Sequence, residues 1–236
     1  VGLPKLEHPT FVLTLPSTQQ QITYRPFLVK EEKILLIAQA ANDVAETLRA
    51  IKQVINNCIV SDKVDVESFT TFDLEYFFLK LRSKSVNNIV TLSYRDAEDD
   101  DVYSFEIDLE DIEVTAATNV SNNITINDNL GIVLKYPQVG VTEKMGSVDT
   151  ITDFTFELMK QCVDKVYTSE EVFKASDYTA KEMEDFLNDL DVKTFEKIQA
   201  FFDNMPKIEH RIEYVNKLGN QREIVLRNLQ DFFSLG

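Results

Sequence analysis

The pattern that most narrows the fold is a two-residue alternation of apolar side chains that occurs twice, each time broken by a short polar turn. Val90, Leu92 and Tyr94 alternate on the way out, and Tyr103, Phe105, Ile107 and Leu109 alternate on the return. Near the C-terminus Ile212 and Tyr214 run out, Gly219-Asn220 turns, and Ile224 and Leu226 come back. Side chains on a strand point alternately to its two faces, so such runs are strands with one buried face. A polar turn of a few residues between them leaves only an antiparallel hairpin. The two hairpins also resemble each other. Each follows a Phe-rich helical stretch, carries a Tyr before its turn, and ends in an acidic and apolar close (Asp111-Ile112 and Asp231-Phe232). Two readings are open: an internal duplication of a helix-plus-hairpin unit, or two ordinary amphipathic hairpins. A further hairpin is predicted over 11–29, with Phe11 to Leu15 and Ile22 to Tyr24 as strands, Pro16-Ser17-Thr18 as the break and Pro26 as the stop.

Between these hairpins the apolar spacing changes to steps of three and four. Ile37, Ala41, Val44, Leu48, Ile51 and Ile55 predict one long helix over 31–56. Ile34, Leu35 and Leu36 widen the stripe, which makes that end the most buried. The stripe serves either as a core helix or as a seam between subunits, and the missing flanking charge pattern favours the core. A helix over 73–83, with Asp73 as its N-cap, turns Leu74, Phe77, Phe78 and Leu81 inward. Ile151, Phe154, Leu158, Cys162 and Val166 predict a helix running to Tyr167. Thr179-Ala180-Lys181-Glu182 is a capping box that opens a short helix, and another runs from Phe195 until Pro206 stops it. The fold class is therefore α+β, helices with several antiparallel hairpins. Its divisions are an arm and hairpin at 1–30, a helical region with a hairpin at 31–115, an irregular β-prone segment at 116–148, and a helical region with the last hairpin at 149–236.

Charge and rare residues limit the function. The 40 Asp and Glu against 24 Lys and Arg leave a net charge of -16, a field that repels nucleic acid and anionic membrane. No apolar run approaches a membrane span, and the opening Val1-Gly2-Leu3-Pro4 has no signal-peptide character. Cys58 and Cys162 stand far apart in apolar stretches, which fits reduced, buried thiols and assembly in cytoplasm. His8 and His210 are the only histidines, neither has a nucleophile near it in sequence, and the six Gly form no phosphate loop. The run Asp96 to Asp101 is the one candidate metal loop, but it lacks the Gly and the alternation of a calcium site. It is expected to be a solvated hairpin tip, so no metal, no cofactor and no enzymatic activity are predicted. The mixed aromatic and basic block Tyr24 to Lys33 and the helix Asp73 to Lys84 supply a candidate interface: Tyr24, Arg25, Phe27, Phe77, Phe78 and Arg82. The competing reading is that Phe27, Leu28 and Val29 pack on the first helix.

Several blocks have a familiar look. Leu3-Pro4-Lys5-Leu6 leads to Leu15-Pro16-Ser17-Thr18 and then to Tyr24-Arg25-Pro26-Phe27-Leu28-Val29-Lys30-Glu31-Glu32-Lys33. Asn57-Cys58-Ile59 is followed by the run from Phe72-Asp73-Leu74-Glu75 to Lys84-Ser85-Val86, and later by Phe195 to Met205 with Pro206. As a set these resemble the T-even-type phage baseplate hub family, with 116–147 unmatched. The resemblance implies a structural or assembly subunit of the hub of a contractile tail, docked to other hub or tail proteins and able to self-associate. It would reside in the virion baseplate and pass through host cytoplasm during assembly. The resemblance carries over no catalytic residues. It also implies relatives with Cys pairs in the hairpin turns, as in zinc ribbons; here the turns Asp96 to Asp101 and Lys217 to Gln221 hold no Cys. A function from another class, an acidic decoy that mimics DNA and binds a basic host protein, is the alternative.

Overall fold

The computed structural model describes residues 6–41, 43–116, 121–142 and 151–233. Leu3-Pro4-Lys5 and the side chains of Val44, Ile151 and Phe154 lie outside the described residues. The chain forms two compact units, one from 1–115 with 207–236 and one from 116–206.

In the first unit β1 (Phe11–Thr14) pairs antiparallel with β2 (Gln21–Tyr24), placing Phe11 opposite Tyr24. The long helix expected over 31–56 is two helices, α1 (Val29–Ala41) and α2 (Val44–Cys58). Asp43 makes the break, because its carboxylate takes the amides of Ala45 at 2.8 Å and Glu46 at 3.1 Å and so starts a new helix. The stripe divides with it. Ile51, Val54 and Ile55 of α2 are buried, whereas Leu36 and Ile37 of α1 are 54% and 72% exposed, the reverse of the predicted burial.

Helix α3 (Thr71–Ser85) begins two residues earlier than expected, with Thr70 as its N-cap. Asp73 is the third residue of the first turn and completes a capping box by accepting from the Thr70 amide and hydroxyl. The same buried carboxylate takes the Ser17 amide at 3.0 Å and the Ser17 hydroxyl, which fixes the turn of the first hairpin onto α3. Strands β3 (Ile89–Arg95) and β4 (Val102–Asp108) then pair from Ile89 opposite Asp108 to Arg95 opposite Val102.

The second unit is built on a sheet. The Ile124 and Ile132 pieces are strands β5 (Asn123–Asn127) and β6 (Leu130–Leu134). After α4 (Val139–Thr142), α5 (Ile151–Cys162) stops short of Tyr167. Val163–Thr168 is a strand, β7, next to β8 (Val172–Lys174) in the order β5-β6-β7-β8. The helical spacing from Leu158 to Val166 was therefore misleading: Val163 and Val166 are buried by the sheet, where β-branched residues fit. Gly131 of β6 lies under the ring of Tyr167, whose oxygen would stand 2.3 Å from any Cβ placed there. Helices α6 (Ala180–Asn188), opened by the expected capping box, and α7 (Val192–Asp203) add Met183, Leu187, Ile198 and Phe201 to this core.

The chain then returns to the first unit. Val114 bridges Ile208, and the Thr115 amide donates to the Lys207 carbonyl at 2.8 Å. Strands β9 (His210–Val215) and β10 (Gln221–Leu226) form the last hairpin, followed by α8 (Leu229–Phe233). One core joins the two alternating hairpins through Leu92, Ile107, Ile224 and Leu226, with Leu79 of α3 and Phe232 of α8.

Helix α8 also meets α3 at Glu75, where burial pushes the carboxyl up to about 7, opposed by the Leu229 amide and reinforced by Asp231. The folded chain thus keeps a proton that an unfolded Glu has released above its ordinary value of 4.5. Stability from this group is full below that value and is lost as pH rises toward 7. Melting temperature is expected to fall across this window, and Glu75→Gln to flatten the slope. An unchanged slope in the variant would remove Glu75 as its cause.

Candidate functional site

The residues selected as an interface are placed inside the first unit. Tyr24, Phe27, Phe77 and Phe78 are buried, with the Phe77 ring centroid 5.2 Å from Tyr24 and 6.1 Å from Phe69. Arg82 of α3 is half-buried. Arg25 pairs with the fully buried Glu31 at 3.0 Å and donates to the Pro26 and Asn57 carbonyls, each at 2.9 Å. Glu31 in turn accepts the Leu28 amide at 2.9 Å, which serves the start of α1. Burial works against its charge, but Arg25 and that amide hold it below the usual carboxylate range. One arginine therefore joins the end of β2, the start of α1 and the end of α2.

The acidic run is a solvated tip only in part: Glu98 and Asp100 are exposed, whereas Asp96 is buried. Asp96 has no exposed surface; it accepts from the Tyr214 hydroxyl at 2.5 Å, from Arg222 Nε at 3.1 Å and from the Glu98 amide at 2.8 Å. Glu98 accepts from Asn216 and Asn220 side chains, each at 2.7 Å. Asp99 accepts from the Tyr103 hydroxyl at 2.5 Å and the Lys217 amide at 3.0 Å, and Lys217 Nζ pairs with Asp101 at 2.7 Å. The Tyr214 hydrogen bond holds Asp96 below its ordinary range against the opposing effect of burial. Burial, and then the Asp96 bond, push Tyr214 up to about 12. Tyr214 also lies 4.8 Å from Tyr103 and 5.2 Å from Phe105, centroid to centroid. The two hairpin turns are thus held together by a polar knot over an aromatic floor.

The turns are built alike. Asp96 and Asn216 are both buried, and each accepts the amide two residues on through its side chain, Glu98 at 2.8 Å and Leu218 at 3.1 Å. Each turn has one residue with positive φ just before it closes, Asp100 at 59° and Gly219 at 86°. The sequence signal was there, a Tyr two residues ahead of an Asp or Asn at both turns, but its meaning depends on the turns meeting. These turns contain no thiol, and the carboxylates of Asp96, Glu98 and Asp99 are already taken by internal donors, so a ribbon-type zinc does not fit them. Among the described residues no group of three His, Cys, Asp or Glu is placed to hold a metal ion.

Burial raises Cys58 to about 11 and Cys162 to about 12, which keeps both as inert thiols. Burial lowers His210 against the opposing charge of Asp111, which favours its neutral imidazole, and His8 is exposed. Three of the exposed large apolar side chains, Val29, Leu36 and Ile37, belong to α1.

The buried Arg25–Glu31 pair and the Asp96–Tyr214 contact each join separate elements of the chain. A family model described as T4 bacteriophage base plate protein matches residues 8–234. The chain belongs to that family and is a T4-type phage baseplate protein, which places it in the tail baseplate among other tail and baseplate proteins. No curated protein matches the chain, and no solved structure does.

Proposed function

We propose that this chain is a structural or assembly subunit of the central hub of a contractile tail baseplate, acting by docking to other hub or tail proteins and not by catalysis. The observation that carries this reading is the family match over 8–234. The exposed Leu36 and Ile37, neighbours on α1, support it as a docking face, because adjacent large apolar groups left in the open favour a partner. Self-association through the same face is compatible with the reading. The DNA-mimic alternative is disfavoured, since the densest acidic run gives its carboxylates to internal donors instead of displaying them like phosphates.

Tagged chain recovered from infected cells is expected to bring tail proteins with it. Leu36→Asp with Ile37→Asp should cut that recovery by about tenfold or more while the unfolding midpoint stays in place. Recovery of no tail protein by the unaltered chain would overturn the hub reading. Undiminished recovery by the double variant would remove α1 as the face.

A further inference from the structure

The second unit has an open cleft of about 410 Å³ whose lining includes Lys135, Lys160, Lys165 and Lys174, with Asp164 as the one carboxylate. Such a gathering is unexpected in a chain of net charge -16. Lys165 and Lys174 are direct partners across β7 and β8, and like charges opposite each other on neighbouring strands repel. Lys160 is neutralised by Glu157 and by Glu184 at 3.2 Å. Among the described residues no carboxylate forms an ion pair with Lys135, Lys165 or Lys174. Lys135 is held in place through its amide, which donates to the Cys162 carbonyl at 2.8 Å. The cleft adjoins β8, one of the two edge strands of the sheet, whose Val172 is exposed.

We propose that this cleft binds a short carboxylate-rich segment of a partner protein, whose acidic side chains neutralise Lys135, Lys165 and Lys174. The inference rests on the docking reading above and adds the chemistry of one partner. An anion between Lys165 and Lys174 relieves a repulsion built into the sheet, which gives local complementarity a net gain. A nucleic acid carries its charge far beyond the cleft and meets the repulsive field of the whole chain, whereas a short acidic segment meets mainly the lysines. Val172, at the sheet edge, offers an apolar contact beside the charges.

The test uses the full chain and fluorescein-labelled octaglutamate, followed by anisotropy at about 20 mM salt, where screening is weak. Saturable binding is expected, weakened by about tenfold or more in Lys165→Glu with Lys174→Glu and at physiological salt. Lys181→Glu with Lys193→Glu, on helices α6 and α7, should leave it unchanged. Melting curves establish that both double variants are folded. No saturable binding up to about 1 mM, or equal binding by the Lys165 and Lys174 variant, overturns the proposal. So does an oligothymidylate of the same length that binds as well as octaglutamate. If tail proteins co-purify with the chain but octaglutamate does not bind, this inference fails and the docking reading stands. If neither binds, both fail.

Discussion

Arg25→Ala is expected to destabilise the first unit by about 3–5 kcal/mol, the range for removing one partner of a buried ion pair. Glu31 has no exposed surface, so its carboxylate cannot recover hydration when the guanidinium is gone. It would keep the Leu28 amide at 2.9 Å and Lys30 at 3.4 Å, but Lys30 sits in solvent and offers a weak, screened contact. The Asn57 and Pro26 carbonyls lose a donor at the same time. Arg25→Met combined with Glu31→Leu should recover at least half of the loss, because an apolar pair removes the stranded charge. Urea unfolding followed by circular dichroism reads both effects. An unchanged midpoint for Arg25→Ala would mean that the arginine is not structural and is free for a partner.

Phe77→Ala is expected to cost about 3–5 kcal/mol, and Phe77→Leu only about 1–2 kcal/mol because most of the volume is kept. The ring is fully buried between Tyr24 and Phe69, and α3 cannot close over the hole without moving its capping box and the docked Ser17 turn. The same experiment separates two roles for an aromatic residue in this family. A core ring loses stability first and partner binding only as a consequence. A docking anchor leaves the melting curve alone and loses the partner. A Phe77→Ala chain with normal melting and no tail-protein recovery would show the ring to be an anchor.

The hairpins were readable because period-two alternation is a local property that one buried face imposes. The register follows from it, with Leu92 opposite Phe105 and Ile212 opposite Ile224. Elsewhere local signals of similar strength compete. A regular stripe through Ile37, Val44 and Ile51 concealed Asp43, a residue able to cap a new helix. The stretch from Leu158 to Val166 fits helical and strand spacing alike, and pairing with β6 and β8 decides for the strand. The knot was illegible for a different reason. Asp96 looks like part of a solvated acidic run until Tyr214 and Arg222, more than a hundred positions later, are brought to it. The lysine cleft was equally hidden, since Lys135, Lys160, Lys165 and Lys174 come together only when β7 pairs with β6 on one side and β8 on the other.

The order of elements along the chain has a consequence for synthesis. Residues 116–206 form an uninterrupted unit and can fold as they leave the ribosome, whereas the first unit is closed by 207–233, which emerge later. For on the order of ten seconds, at ordinary translation rates, the β3–β4 hairpin must wait without β9 and β10 over Leu92 and Ile107. During that wait Asp96 and Glu98 lack Tyr214, Arg222, Asn216 and Asn220, and Asp99 lacks the Lys217 amide, so the turn keeps a negative charge without its later cationic partners, the kind of feature that discourages a nascent strand edge from joining its neighbours on a polysome. The acidic run then acts twice, first as a guard for the growing chain and afterwards as the lock of the finished one.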